Sequence, residues 1–151
     1  MTLVVYSSRF DVPAAKLYSF HLDASNLGAI SPPLPRFELQ TEPKQSELGD
    51  EQRFRLSIGP LGTKWNARIT QLRPVSLIED TQQAGPFLRW RHQHRISADG
   101  FASRLTDVVS FRLLPTRGGE ILEYFLVRPG IVAMFAWRHW KTRSALAAER
   151  P

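Results

Sequence analysis

The chain has 151 residues, about one domain's worth and enough to bury roughly two thirds of its unfolded surface in a core. Its 42% apolar and 23% charged residues exclude disordered, fibrous and membrane-spanning classes, and the absence of cysteine excludes disulfides, thiolate nucleophiles and cysteine-held zinc. A formal charge of +6, carried by arginine because only Lys16, Lys44, Lys64 and Lys141 are lysines, raises nucleic acid or anionic membrane as partners without deciding for either.

The first segment, 3–10, reads as a strand, and Asp11-Val12-Pro13 then supplies an N-cap and an early-helix proline for a helix over 14–22. Asp23-Ala24-Ser25-Asn26 caps a second short helix ending near Gly28, after which Ser31-Pro32-Pro33-Leu34-Pro35 forbids regular structure. From Phe37 the hydrophobic period becomes two. Breaks at Leu48-Gly49-Asp50, Gly59-Pro60-Leu61-Gly62, Arg73-Pro74, Ala84-Gly85-Pro86, Ala98-Asp99-Gly100 and Thr116-Arg117-Gly118-Gly119 delimit antiparallel strands near 37–42, 51–58, 63–72, 75–83, 87–97, 101–114 and 120–127. After Arg128-Pro129-Gly130, the Ala-, Leu-, Trp- and Arg-rich stretch 131–149 predicts one long helix. The longest apolar run, 131–137, is far short of the ~20 residues a membrane span needs, and no signal-peptide pattern opens the chain, so a cytoplasmic protein is expected.

These elements predict an α+β architecture, a curved antiparallel sheet wrapped round a long C-terminal helix with a short helix pair after the first strand. Such a sheet leaves a space against its helix. Alternation turns Trp90, His92, His94 and Ile96 inward against Arg89, Arg91, Gln93 and Arg95. It turns Leu105, Asp107, Val109, Phe111 and Leu113 inward against Ala102, Arg104, Thr106, Ser110 and Arg112. By the same alternation Phe54, Leu56 and Ile58 face in, as do Trp65, Ala67 and Ile69. In the last helix Ile131, Phe135, Arg138, His139, Thr142 and Leu146 share the stripe that faces the sheet.

The hairpin near Asp99-Gly100 brings His92 or His94 close to Leu105 or Asp107. A carboxylate beside an imidazole can orient a ligand, satisfy a buried polar pair or tune a general base, and with no accompanying nucleophile the first two readings are preferred. His92, His94 and Asp107 are the only catalytic candidates, none of them firm. His92-x-His94 with Asp107 as third ligand is too sparse for a metal site, so neither metal nor cofactor is expected. His21 and His139 default to packing, Arg138 to a side chain reaching for water, and Trp137 and Trp140 to partial exposure at the helix edge. No phosphate-binding glycine motif, nucleophile elbow or His-Glu-x-x-His helix occurs. The inward aromatics disfavour nucleic acid, because a basic sheet face would then lack stacking platforms.

The order of elements resembles the helix-grip fold of the START and polyketide cyclase/dehydrase superfamily, also called Bet v1-like or SRPBCC. Four blocks carry the likeness to a bacterial branch of it: Phe10-Asp11-Val12-Pro13-Ala14, Gly85-Pro86-Phe87 through Trp90-Arg91-His92-Gln93-His94, Leu105-Thr106-Asp107-Val108-Val109, and Phe135-Ala136-Trp137-Arg138-His139. The resemblance covers nearly the whole chain. It implies one ligand-binding domain over 1–151, with a cavity for a lipid, polyketide or isoprenoid-like molecule. The branch offers no established catalytic residues to carry across. The lining expected is Phe54, Leu56, Trp65, Ile69, Trp90, His92, His94, Asp107, Val109, Phe111, Phe135, Arg138, His139 and Thr142.

The expected function is carriage or binding of a hydrophobic or amphipathic small molecule. The alternative is a cyclase or dehydratase without metal that uses a His–Asp pair, and after it comes a basic surface module for RNA or anionic membrane. The membrane-targeting segment that follows the domain in some relatives has no counterpart before Pro151, which disfavours stable anchoring and leaves only peripheral membrane contact. Oligomeric state is not legible.

Overall fold

The computed structural model describes residues 1–149, so the last two positions of the expected 1–151 domain lie outside the described residues. Strand β1 (Thr2–Phe10) leads into helix α1 (Ala14–Leu22), a 3-10 turn (Ala24–Asn26) and the one-turn helix α2 (Leu27–Ile30). Pro13 sits extended at the N-cap of α1, where its missing N–H leaves no helical bond unmade, and the Asp23 carboxylate accepts the Ser25 N–H at 2.9 Å to start the next turn. Six strands follow: β2 (Arg36–Leu39), β3 (Glu51–Ile58), β4 (Leu61–Arg73), β5 (Leu77–Ala84), β6 (Arg89–Asp99) and β7 (Ala102–Arg112).

All seven strands form one antiparallel sheet in the order β1-β7-β6-β5-β4-β3-β2. Register shifts at Asn66/Ala67 and Ile69/Gln71 bend β4 against β5, and such irregularities increase twist and let a sheet curl. The β6–β7 hairpin turns at Gly100, whose φ of 62° is a conformation that favours glycine. This is the helix-grip fold.

The strand expected at 120–127 is absent. The chain is helical from Arg117: α3 (Arg117–Leu122), a π-helical turn (Glu123–Val127) and α4 (Arg128–Ala148). Thr116 is a helix cap rather than a turn residue, its Oγ1 accepting the Gly119 N–H at 3.1 Å. Gly119 is required by close approach, since a Cβ there would stand 2.7 Å from the Leu114 Cβ. The Arg128-Pro129-Gly130 that reads as a stop directly follows the π turn and forms the first turn of α4, where a proline's missing N–H is tolerated. Buried Glu123 pins that turn to the sheet, its carboxylate accepting from Thr2 Oγ1 and from the Leu113 N–H, each at 2.6 Å.

Alternation describes β3, β6 and β7 well, with three departures. Ile58 is 59% exposed at the β3–β4 hairpin tip, outside both apolar clusters of the core. Ala102 is buried beside the turn where Ser103 Oγ donates to the Val12 carbonyl at 2.7 Å. Gln93 is buried on the outer face, because Glu79 gathers Thr70, Arg91 and Gln93 around its carboxylate there. Of the apolar clusters, one joins Phe10, Leu17, Phe20, Ile78, Ile96, Leu105 and Leu146, and the other Val4, Trp65, Trp90, Val109, Phe111, Ile131 and Phe135.

Candidate functional site

Between those two clusters the inward positions turn polar at one level in each packed element. On β7 the series is Leu105, Asp107, Val109; on β6 it is Ile96, then His94 and His92, then Trp90; β5 follows Ile78 with Asp80. On β1 Ser8 stands between Phe10 and Tyr6, and on α4 Arg138 and His139 stand between Phe135 and Leu146. Strand register decides who meets whom, pairing Asp107 with His94 across β6–β7 and Asp80 with His92 across β5–β6.

Asp107 is the hub. Its Oδ1 lies 2.8 Å from His92 Nε2 and 2.6 Å from His94 Nδ1, although the His94 contact is too bent to be a hydrogen bond, and its Oδ2 lies 2.6 Å from His139 Nε2. His92 Nδ1 turns the other way, 3.3 Å from Asp80 Oδ2, and His139 Nδ1 meets Ser8 Oγ. A chain of polar contacts therefore runs Ser8–His139–Asp107–His92–Asp80 from β1 to β5. His139, for which helical position alone suggests packing and the family resemblance a place in the lining, is part of it.

Burial would raise the Asp107 carboxyl, but three surrounding imidazoles, His94 foremost, hold it well below the usual carboxylate range. Burial would likewise lower His92, yet the Asp107 and Asp80 carboxylates outweigh it and push the ring up to about 9. His94 goes down, from burial and from the charge on His92. Adjacent rings with centroids 4.1 Å apart thus differ in protonation at neutral pH, His92 charged and His94 neutral. His21, tilted toward His94 at 5.2 Å and holding the Leu17 carbonyl at 2.9 Å, is lowered to about 3, chiefly by burial and then by His94. Arg138 is lowered by burial, but a guanidinium keeps its charge.

A cavity of about 730 Å³ opens between α4 and the sheet. Of the residues named from sequence, Phe54, Leu56, Trp65, Ile69, Trp90, His92, His94 and Arg138 line it. Asp107, Phe135 and His139, with His94 and Arg138, enclose a smaller recess of about 20 Å³, room for about one water. Val109, Phe111 and Thr142 are fully buried and line neither space. The inward aromatics pack against each other as one wall, Trp65 edge-on to Trp90 at 5.0 Å and Phe87 tilted against Trp90 at 4.9 Å, and leave the cavity beside them open.

Arg138 does not reach for water. It turns into the cavity, where Nη2 donates to Ser31 Oγ at 3.4 Å and Nε has no partner among the described residues. Trp137 is also drawn in, its Nε1 buried and without a partner among the described residues, whereas Trp140 is 51% exposed. Sequence reasoning missed His21, Asp80, Trp137 and the lining supplied by Ser31–Pro35 and the π turn. Asp80 could have been found from Ile78-x-Asp80 alternation. Its strand is buried on both faces, however, which hides the period.

Residues 10–126 match the family described as polyketide cyclase/dehydrase and lipid transport. No curated protein sequence matches the chain. Among solved structures the chain is similar to TTHA0849 of Thermus thermophilus, at 14% identity and a TM-score of 0.74 over 99% of this chain and 100% of that one. It is similar to a Rhodobacter sphaeroides protein at 10% identity and a TM-score of 0.75, over 99% and 95% of the two chains. Ara h 8.0201 is 14% identical, with a TM-score of 0.62 over 93% and 97%. Identities this low speak for the fold alone.

Proposed function

The chain belongs to the polyketide cyclase/dehydrase and lipid transport family, and on that premise we propose that it is a single-domain binding protein for one hydrophobic or amphipathic small molecule. A lipid-, polyketide- or isoprenoid-like body fills the apolar cavity, and its polar head sits among Arg138, His92 and His94. One observation carries this reading: an apolar cavity of about 730 Å³ is lined by Arg138 and Trp137, whose buried donors Nε and Nε1 have no partner among the described residues. An unsatisfied buried donor costs about 1–3 kcal/mol, and a carbonyl or carboxylate oxygen on the ligand removes that cost. The volume falls within the roughly 300–1,000 Å³ of small-molecule sites, and burial at ~25 cal/mol per Å² supplies the affinity before association costs.

The test is a fluorescence titration with cis-parinaric acid, followed by displacement with a panel of fatty acids, isoprenols and polycyclic ketones. One-to-one saturable binding, abolished when Ala67→Phe fills the cavity, supports the reading. No saturable binding by any of them overturns it.

A second reading has its own observation, the opposed protonation of His92 and His94. Environments that push two neighbouring groups apart in pKa assign an acid and a base. His94 would take a proton next to a ligand carbonyl and His92 would give one to the leaving or carbonyl oxygen, the chemistry of a cyclase or dehydratase. Single alanine replacements at His92, His94 and Asp107 separate the readings: a binder loses affinity modestly, an enzyme loses turnover far more than binding.

A further inference from the structure

We propose that Asp80, His92 and His94 form a binding site for one first-row divalent cation of the zinc class, open toward the cavity. Two observations beyond the residue types lead there. The ligating atoms of these three side chains lie within 4.8 Å of one another, and all three side chains line the same cavity. Metal–ligand bonds of about 2.0–2.2 Å are then reached by small side-chain rotations.

The sequence pointed to a different third ligand, Asp107, and on that basis no metal site was expected. The structure sets Asp107 behind the histidines instead. Its Oδ1 takes His92 Nε2 at 2.8 Å and abuts His94 Nδ1 at 2.6 Å, which leaves His92 Nδ1 and His94 Nε2 as the nitrogens free to ligate. A carboxylate that holds the far nitrogen of a ligating histidine is the usual outer partner of a metal site, fixing tautomer and ring orientation. Asp107 does this for His92, stands against His94 Nδ1 without a well-aligned bond, and is itself anchored by His139 Nε2 at 2.6 Å. Asp80 and His92 are direct partners in the β5–β6 register, so two of the three ligands are set by the sheet itself.

The buried Nδ1 of His94 makes no well-aligned hydrogen bond to any described residue, so that ring is not yet satisfied by the protein. A cation on its cavity side would let it settle with Nδ1–H toward Asp107. Two imidazoles and one carboxylate suit zinc, cobalt or iron(II) rather than calcium or magnesium, which prefer oxygen. Three protein ligands leave at least one position facing the cavity, where a water or an oxygen of the bound molecule completes the set. The site needs no cavity ligand to form, so it stands or falls independently of the binding function proposed above.

The experiment uses the full chain, stripped with EDTA and desalted, at pH 8. Cobalt(II) is followed by its visible absorption and zinc(II) by calorimetry. One equivalent of each is expected, with cobalt bands typical of a four- or five-coordinate nitrogen and oxygen set. Asp80→Asn and His94→Gln are expected to weaken zinc at least tenfold, and Asp107→Asn tenfold to a hundredfold. Circular dichroism of each variant separates loss of the site from loss of fold, and Asp80→Asn, whose side chain is the least buried of the group, is the variant that decides. No saturable binding by the parent, or equal affinity in folded Asp80→Asn and His94→Gln, overturns the proposal.

Discussion

His94 and Asp107 face each other directly across the β6–β7 register, and the same carboxylate oxygen that abuts His94 Nδ1 at 2.6 Å also takes His92 Nε2 at 2.8 Å. One buried carboxylate therefore organises the polar layer that divides the two halves of the core. Asp107→Asn leaves the His92 imidazolium with Asp80 alone, and breaking one side of a buried ionic group typically costs about 3–5 kcal/mol. Urea unfolding is expected to show a loss of about that size. A loss below about 1 kcal/mol would mean that the hub is not charged.

Stability is expected to peak near pH 6.5 and fall on both sides. His92 is raised from 6.5 to about 9, so its contribution is fully present below pH 6.5 and is lost as pH rises toward 9. His21 is lowered from 6.5 to about 3, so its contribution is present above pH 6.5 and is lost as pH falls toward 3, with His94 acting in the same direction. Melting temperatures across pH 4–10 in EDTA test this: His92→Gln should flatten the alkaline limb, and His21→Gln the acid limb. Unchanged limbs in both variants would refute the assignment.

Arg138→Leu is expected to keep the fold and change ligand preference. Hydrogen bonds to charged groups contribute about 1.5–3 kcal/mol, so a fatty acid should lose roughly tenfold to a hundredfold in affinity while the matching hydrocarbon chain capped by a methyl ester loses little. Parallel displacement titrations measure the difference. An equal loss for both ligands would place the head group elsewhere.

Phe111 and Trp140 make a contrast between core and edge. Phe111 is fully buried behind the cavity wall, at 5.5 Å from Phe87 and 6.1 Å from Trp90, and Phe111→Ala should cost about 3–5 kcal/mol. Trp140, half-exposed and touched by Trp137 and the Lys141 ammonium, should cost about 1 kcal/mol or less as alanine. Chemical denaturation of the two variants checks both values.

The parts of this fold that were legible in the sequence are those where one local period governs. The alternation of Trp90, His92, His94 and Ile96 and of Leu105, Asp107 and Val109 located the polar layer, because both strands are apolar on one face and charged on the other. Strand β5 resisted, since Leu77, Ile78 and Glu79 are buried on opposite faces and leave no period from which to orient Asp80. Residues 117–130 were misread for a different reason. Glycine at 119 serves close packing on Leu114 and proline at 129 follows a π turn, so residues that usually end a helix lie inside one. Arg138 lies on the stripe that helical spacing turns toward the sheet, and its head stays there because a cavity, unlike a packed core, accepts a long polar side chain; Trp137, off that stripe, lines the cavity as well.

Whether the cavity holds a molecule is decided by native mass spectrometry of the protein as purified from cells, followed by organic extraction of whatever accompanies it. A one-to-one lipophilic adduct bearing at least one oxygen acceptor is expected, absent from the Ala67→Phe variant. A bare mass for the parent protein that stays bare after incubation with fatty acids, isoprenols and polycyclic ketones would contradict it.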